Sequence, residues 1–521
     1  SKLNDISILD CTFRDGGYYT NWNFDKNLIN KYLKICNQGL CEIVELGLRT
    51  SGSGQYLGPH AYTCSEYFEI CRNYQSLKYS VLVNWKDISQ NNNPEKLFKE
   101  NASDDIVDIV RIAVKVKKLK DTEQFINEIK SRGYKVSLNI QNCDSLFEEK
   151  LIELEDIISD LNIDILYLAD TNGFLDPNQV EKLVSDLVSF IKIPIGVHTH
   201  NNKGLAFANS LAALNNGAKY VDSTFTGIGR GPGNTQTEYI SNHLKKLPIK
   251  LNTELSDLIN SYFYPLKNKK NWGDNLYFYL SGLSNQSASL MHEKLTMNNY
   301  DNECLVEIAC SDQKDPISNY ELSNNKINNF IVKKYTAAVF ANSHSWQVEK
   351  KQILDYLKNN KIKSYHINFP DINNYISDID FFCSCDPLRV KTQFSKYKNF
   401  KEKSLICDVE ACKKLNLKIE QLETENFKYK VKENNLLIEE ESCVIPYLQS
   451  LCYCLCYLYS KGHRNILLIG VEGYKESIKN IQIISCLNIL KKNYKDIDLI
   501  TLNKNVLGIK SKSIFEFLTS I

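Results

Sequence analysis

His198 and His200 stand two residues apart at the end of an apolar run, residues 193–199, that has the pattern of a β-strand. On an extended chain this spacing turns both imidazoles to one face, where each can offer a ring nitrogen to a single ion. Alone the pair is a weak signal, since an isolated His-x-His is more often structural. Two other stretches add context: Asp10-Cys11-Thr12-Phe13-Arg14-Asp15-Gly16-Gly17-Tyr18 near the start, and Gly227-Ile228-Gly229-Arg230-Gly231-Pro232-Gly233-Asn234 beyond the imidazoles. Asp15 would complete a two-His, one-carboxylate set, which leaves coordination positions open for substrate and water. Asn234 offers a neutral oxygen to the same ion, directly or through water.

Residues so far apart in sequence meet only if the fold brings them together. Eight short β-rich runs recur at intervals of roughly 25 to 35 residues, separated by amphipathic helical stretches. They are residues 6–12, 43–48, 79–84, 106–113, 135–140, 163–169, 193–199 and 219–225. Strands alternating with helices pair in parallel through right-handed crossovers, and eight of them in this length match a closed TIM (β/α)8 barrel over residues 1–248. A doubly wound open sheet is the alternative. Barrel sites lie at the C-terminal ends of the strands, and closure sets the first strand beside the eighth, which neighbours the seventh. Asp15, His198, His200 and Asn234 would then converge.

Composition sets the outer bounds. The 521 residues are 43% hydrophobic and 24% charged, which excludes disordered, collagen-like and coiled-coil classes. Lys+Arg 63 against Asp+Glu 62 leaves a net charge of +1, with no basic excess to attract phosphate backbones, so no nucleic acid partner is expected. The longest apolar stretch, residues 445–459, is too short to span a bilayer and is followed by Lys461, His463 and Arg464, so no membrane partner is expected. The first residues run into a strand pattern without an apolar leader. Seventeen scattered cysteines suit a reducing compartment, and the expected location is cytoplasmic.

The motifs of the first half resemble the DRE-TIM metallolyases, the HMGL-like family, which includes hydroxy-oxoacid aldolases, hydroxymethylglutaryl-CoA lyase and the isopropylmalate and homocitrate synthases. Asp10 to Gly16 resembles the signature of the family's first strand, Glu45-Leu46-Gly47 the acid of its second, and Asp170-Thr171-Asn172-Gly173 the motif of its sixth. His198-Thr199-His200-Asn201 and Gly227 to Asn234 resemble its metal and loop motifs. The Arg-Asp-Gly-Gly-Tyr form, with a helical segment after the barrel, is most similar to the branch of 4-hydroxy-2-oxovalerate aldolase-like proteins. The resemblance implies one divalent ion, Mn2+ or Mg2+ favoured over Co2+ or Zn2+, held by Asp15, His198 and His200 with support from Asn234. A 2-oxo acid would chelate it through carboxylate and keto oxygen, and Arg14, which can only donate, would stabilise the enolate.

The general base stays open. Similar aldolases have a His three residues beyond the metal Asp, where this chain has Tyr18. Tyr18, Glu45, His60 in the loop 51–62, or a water on the ion are the candidates. Tyr18 is equally readable as an aromatic wall, and Glu45 as a group that fixes a neighbour. Asp170 and Thr171 can hold substrate, with a strand-capping turn as the equal alternative. Gly229 and Gly231 suit close backbone approach to a bound carboxylate or phosphate, as well as plain turn geometry. Hydroxymethylglutaryl-CoA lyases carry a Cys in this loop, and none is present here.

After the barrel, residues 249–329 read as a helical appendage, with helical stretches at 254–263, 276–283 and 287–295. A second β/α alternation over 330–521 reads as an open Rossmann-like domain, with strands at 335–341, 364–368, 379–384, 404–408, 465–469 and 498–502. Ala341-Asn342-Ser343-His344-Ser345 has the form of an anion-binding turn, but no Gly-rich dinucleotide fingerprint accompanies it. Asn465 to Tyr474 faintly resembles Rossmann-like domains of bacterial glycan-assembly proteins. Cys452, Cys454 and Cys456, like Cys383 and Cys385, read as core thiols.

Taken together, the sequence reads as a metal-dependent aldehyde-lyase of the class II pyruvate aldolase type, joining a pyruvate-type enolate to an aldehyde. The expected partners are a small 2-oxo acid and an aldehyde, the latter sugar-like if the second domain belongs to glycan synthesis, with a homodimer as a possible assembly. An acyl-CoA-dependent Claisen synthase and a non-catalytic scaffold or glycan-binding protein are the alternatives.

Overall fold

The structure, a computed structural model, describes residues 5–50, 57–88, 94–147, 151–297, 300–311, 335–370, 373–400, 402–474 and 478–519. Parts of the expected loop 51–62 and appendage 249–329 therefore lie outside the described residues.

Eight parallel strands close into a barrel in sequence order: β1 (Ser7–Asp10), β2 (Ile43–Leu48), β3 (Lys78–Asn84), β4 (Ile109–Lys115), β5 (Lys135–Gln141), β6 (Ile165–Asp170), β7 (Ile195–Thr199) and β8 (Tyr220–Ser223). Each falls within a few residues of its predicted run. The closing register pairs Ile8 with Val221 and Asp10 with Ser223, which is what sets the end of β1 beside the end of β8. β4 shows why these segments are strands: Ile109, Val110, Ile112 and Val114 are β-branched and buried on both faces, as parallel barrel strands require.

The surrounding helices follow from apolar spacing and caps. In Pro177–Phe190, Val180, Leu183, Val184 and Leu187 recur at helical period and are buried against the barrel. Asp176 caps the start: its carboxylate accepts from Gln179 N at 2.9 Å, and the Gln179 side chain accepts from Asp176 N. Burying each such aliphatic side chain is worth about 1.5–3 kcal/mol, so Leu187→Ala alone would cost about 2–5 kcal/mol.

The chain divides into two compact units, Ser1–Thr296 with Ala309–Asp312, and Met297–Ile308 with Gln313–Ile521. The helices that follow β8, through Thr296, pack in the barrel unit rather than forming a third body. They lie over the C-terminal loops. Trp272 Nε1 donates to Thr226 O at 3.2 Å, Asn201 Nδ2 to Asp274 Oδ1 at 2.7 Å, and Asn202 Nδ2 to Phe278 O at 3.3 Å.

The second unit is built on an open parallel sheet. Its strands are β9 (Ala337–Phe340), β10 (Lys363–Ile367), β11 (Phe381–Cys383), β12 (Ser404–Cys407) and β13 (Thr424–Asn426). β14 (Lys428–Val431), β15 (Leu437–Ile438) and β16 (Ser442–Ile445) form a separate three-stranded sheet. β17 (Asn465–Ile469), β18 (Asp498–Thr501) and β19 (Lys510–Ser511) complete the main sheet, in the order β13-β12-β11-β10-β9-β17-β18-β19. Ala337 and Val339 enter one core, Ala338 and Phe340 another, so both faces are covered in the doubly wound manner. Cys452, Cys454 and Cys456 are buried in the helix Ser450–Ser460 and are free thiols. Among the described residues no helix is long and apolar enough to cross a membrane.

Candidate metal centre

The site begins with the way β1 ends. The fully buried Asp10 carboxylate accepts from Thr12 N at 2.9 Å and from the hydroxyls of Tyr32 and Thr237, while Thr12 Oγ1 accepts from Phe225 N at 2.9 Å. These bonds tie the following helical turn, Thr12–Asp15, to β1 and to the segment after β8. Arg14 and Asp15 are thereby held at the mouth of the barrel.

From there a buried polar chain crosses the barrel. Arg14 donates from Nη1 to Asp15 Oδ1 and from Nε to Glu45 Oε1 at 2.6 Å. The other oxygen of Glu45 takes Arg111 Nη1 at 2.8 Å, Arg111 Nη2 reaches Asp222 Oδ2, and that same oxygen lies 2.9 Å from His198 Nδ1. Three carboxylates therefore face two guanidinium groups, and one buried negative charge is left over for a cation to offset.

Each imidazole has its Nδ1 engaged in a hydrogen bond. His198 Nδ1 is occupied by Asp222, so Nε2 faces Asp15 Oδ2 at 3.6 Å. That separation is within the span of two donor atoms each about 2.1 Å from one ion. His200 donates from Nδ1 to Asp170 O at 2.8 Å, which frees its Nε2, and the two rings are 4.8 Å apart between centroids. Burial, followed by the neighbouring His198, pushes the His200 pKa down to about 4, so the ring is neutral at pH 7. Burial acts to raise the Asp15 pKa, but Arg14, His198, His200 and the Asn234 amide outweigh it and hold the carboxylate ionised.

Asn234 supplies the observation that tests the fit of an ion. Its Nδ2 donates to Asp15 Oδ2 at 2.6 Å and to Ile228 O at 3.3 Å, whereas its Oδ1 is buried without a hydrogen-bond partner. An orphaned acceptor beside a carboxylate and two lone-paired imidazoles is the donor set of a hard or borderline divalent cation. Cys11, His198 and Asp222 also offer atoms within 4.8 Å of one another. That alternative set is weaker, because Asp222 Oδ2 is already shared by Arg111 and His198, and burial keeps the Cys11 thiol well above its ordinary pKa and so protonated.

Comparison with known proteins points to one family. The HMGL-like family model matches residues 103–262. The 4-hydroxy-2-oxovalerate aldolase of Pelotomaculum thermopropionicum is 26% identical over 336 residues, 62% of this chain and 97% of that protein. The oxaloacetate decarboxylase of Mycobacterium tuberculosis is 27% identical over 232 residues, 44% of this chain and 67% of that protein. Among solved structures, the N-terminal domain of a candidate aldolase from Bacteroides vulgatus is 30% identical with a TM-score of 0.50, covering 56% of this chain and 97% of that one. The chain belongs to the HMGL-like family.

Other expected site residues of this HMGL-like chain take different places. His60 is fully buried among Phe13, Phe24 and Phe68, and its Nδ1 donates to Leu46 O at 2.6 Å. Burial lowers its pKa to about 4, and it is a core histidine rather than the general base. Glu45 accepts from Arg14 on one oxygen and from Arg111 on the other, and so positions those two cations. Tyr18 stacks edge-on to Trp22 at 4.8 Å and lies under Arg230, forming a wall at the mouth.

Asp170 and Thr171 build a turn rather than an open subsite. The Asp170 carboxylate accepts from Phe174 N and Leu175 N, and Thr171 Oγ1 accepts from Asn142 N at 2.8 Å. Gly229 and Gly231 are held by Tyr19, whose hydroxyl donates to Gly229 O at 2.9 Å and accepts from Gly231 N at 3.1 Å. Gly229 also lets the loop close on the ligand set, since a Cβ there would sit 2.6 Å from Asn234 Nδ2.

Arg111, Asp222 and Tyr19 escaped the motif reading. Arg111 and Asp222 did leave a signal, each being a lone charge inside an apolar strand, Ile109–Lys115 and Tyr220–Ser223, where an unpaired charge is too costly to bury.

Proposed function

We propose that the barrel forms or cleaves a carbon–carbon bond by way of a pyruvate enolate, as a divalent-metal-dependent aldolase acting on a 4-hydroxy-2-oxo acid. The observation that carries this reading is the convergence of Asp15 Oδ2, His198 Nε2 and the unpartnered Asn234 Oδ1 beside the Arg14 guanidinium. Asp15, His198 and His200, with Asn234, would hold one divalent ion, Mn2+ or Mg2+ by the hardness of the set. When bound, that ion supplies a Lewis acid to a chelating 2-oxo acid.

The residues of the chain do the rest. In the cleavage direction the C4 hydroxyl passes its proton to water, the bond between C3 and C4 breaks, the aldehyde leaves, and the electron pair passes to the C2 oxygen as an enolate, which regains a proton from water at C3 to give pyruvate. Arg14 is held rigidly by Asp15 and Glu45 and donates to negative charge developing beside it, so no reorganisation is needed at the moment of reaction. Glu45 and Arg111 fix Arg14, and Asp222 fixes His198. The two curated relatives support the choice of step, because aldol cleavage of a 4-hydroxy-2-oxo acid and decarboxylation of oxaloacetate both leave pyruvate as its enolate.

The test uses the whole chain loaded with Mn2+ or Mg2+ and pyruvate in deuterium oxide. Exchange of the methyl protons, followed by NMR and abolished by chelator, is the expected result. A metal-loaded protein that never exchanges them would overturn the proposal. Release of free CoA from acetyl-CoA and a 2-oxo acid would favour a Claisen synthase instead.

A further inference from the structure

Among the described residues Arg230 is a cation with no acid to serve. Its neighbours Gly229 and Gly231 are both hydrogen-bonded to the single hydroxyl of Tyr19, so the loop is gripped on either side of it. Gly231 has φ +70, and a Cβ there would meet the Phe278 ring at 2.9 Å, so glycine is required and Arg230 is the one side chain this turn projects. The guanidinium carbon lies 4.0 Å over the Tyr18 ring, which is 36% exposed. Among the described residues no carboxylate pairs with Arg230. Its neighbours are aromatic rings: Tyr18 lies beneath it, and its charge is felt at Tyr19 and at the His292 imidazole.

Its place relative to the metal centre is set by a short chain of contacts. Trp22 Nε1 donates to Arg14 O at 3.0 Å, Trp22 packs edge-on to Tyr18 at 4.8 Å, and Tyr18 carries Arg230. The wall that starts at the enolate-stabilising arginine thus ends at a second arginine, beyond two aromatic rings. His292, on the helix Ala288–Met297, meets Tyr19 edge-on at 5.6 Å from the same side, and its ring nitrogens bond to nothing among the described residues. Burial and then the Arg230 charge push its pKa below the ordinary value, as expected for a pocket that is already positive.

We infer that Arg230, stacked on Tyr18 and assisted by His292, is the subsite for an anionic group on the aldehyde partner, so that the acceptor is a carboxylated or phosphorylated aldehyde rather than a neutral one. A planar guanidinium with free donors suits either oxyanion in a bidentate manner. This inference names the substrate class of the reaction proposed above and rests on that reading for its catalytic meaning, but the anion subsite itself does not.

The experiment pairs acceptors with and without a terminal anionic group, with pyruvate as donor: succinic semialdehyde against butanal for a carboxylate, and glyceraldehyde 3-phosphate against glyceraldehyde for a phosphate. The wild-type chain should show kcat/KM higher by about ten- to hundredfold for one anionic member over its neutral counterpart, and Arg230→Ala should remove that ratio while Arg230→Lys restores part of it. Equal ratios in wild type and Arg230→Ala would overturn the inference. Should the wild type fail to exchange pyruvate protons, the enolate reading falls by itself, and the subsite is then decided by calorimetric titration with succinate and with inorganic phosphate. Binding of either that Arg230→Ala abolishes supports the subsite, and no difference between the two proteins refutes it.

Discussion

His198 Nδ1 lies 2.9 Å from Asp222 Oδ2, and these two residues come from adjacent strands, β7 and β8. The carboxylate selects which imidazole nitrogen faces Asp15, and Arg111 in turn holds the carboxylate. A candidate ligand is thus oriented by a carboxylate on the neighbouring strand.

Asp222→Asn should therefore weaken metal binding without removing a ligand. A group that orients a ligating histidine is typically worth about 10–100-fold in affinity. Mn2+ titration of the variant should show a loss of this size, with the folded circular-dichroism spectrum retained. Arg111 would keep Glu45 but lose its second carboxylate inside the barrel, so the variant should also unfold at a lower denaturant concentration.

Asp15→Ala removes a ligand and a partner of Arg14 together. Metal content by elemental analysis should fall to background, and pyruvate proton exchange should drop by about a hundredfold or more. Retention of both would mean that the ion, if any, sits elsewhere, with the Cys11, His198 and Asp222 grouping as the first place to look.

How much of this was readable from residues alone differs between the two units. The barrel strands were legible because each is a short β-branched run bounded by turns, and closure followed from their number. β13 and β19 were not, because Thr424–Asn426 is polar and Lys510–Ser511 is an exposed two-residue edge, so neither carries an apolar alternation. The candidate metal ligands stood out through type and spacing, whereas His60 misled: it follows Pro59 in a loop beyond a strand end, yet its ring fills an aromatic cage, and nothing local in the sequence announces the three phenylalanines that surround it. Glu45 and Asp170 lie at strand ends as expected, but their oxygens accept from Arg111 and from turn amides that only the fold supplies.

The buried His60 predicts a pH dependence of stability. Its pKa in the folded protein is about 4, below the ordinary 6.5 expected on unfolding, so the unfolded chain binds the extra proton. The sign follows: this contribution is fully present above pH 6.5, declines as the pH falls, and is gone below about 4. Its size is of order 3 kcal/mol. His60→Phe keeps an aromatic ring in the cage without a titratable group. The difference in urea midpoint between the two proteins should narrow, or reverse in favour of the variant, as the pH is lowered from 7 to 4.5. A constant difference over that range would show that His60 is not buried in its neutral form.

Tyr19 gives the sharpest separation between loop order and ligand chemistry. Its hydroxyl touches neither the metal ligands nor Arg14, yet it satisfies one carbonyl and one amide on opposite sides of Arg230. Tyr19→Phe leaves the ring contacts with Trp272 and His292 in place and removes only that oxygen. The exposed cost is two unsatisfied buried backbone groups, about 1–3 kcal/mol each unless the loop shifts to water. A shifted loop would carry Arg230 off Tyr18 and loosen Gly229 against Asn234. The variant should therefore lose discrimination between charged and neutral acceptors more than it loses Mn2+ affinity, since His198 sits on β7 and Asp15 keeps its pairing with Arg14 when the loop moves. Were Mn2+ affinity to fall as steeply as the acceptor ratio, Asn234 would be a principal ligand, and the loop would belong to the metal centre as much as to the substrate wall.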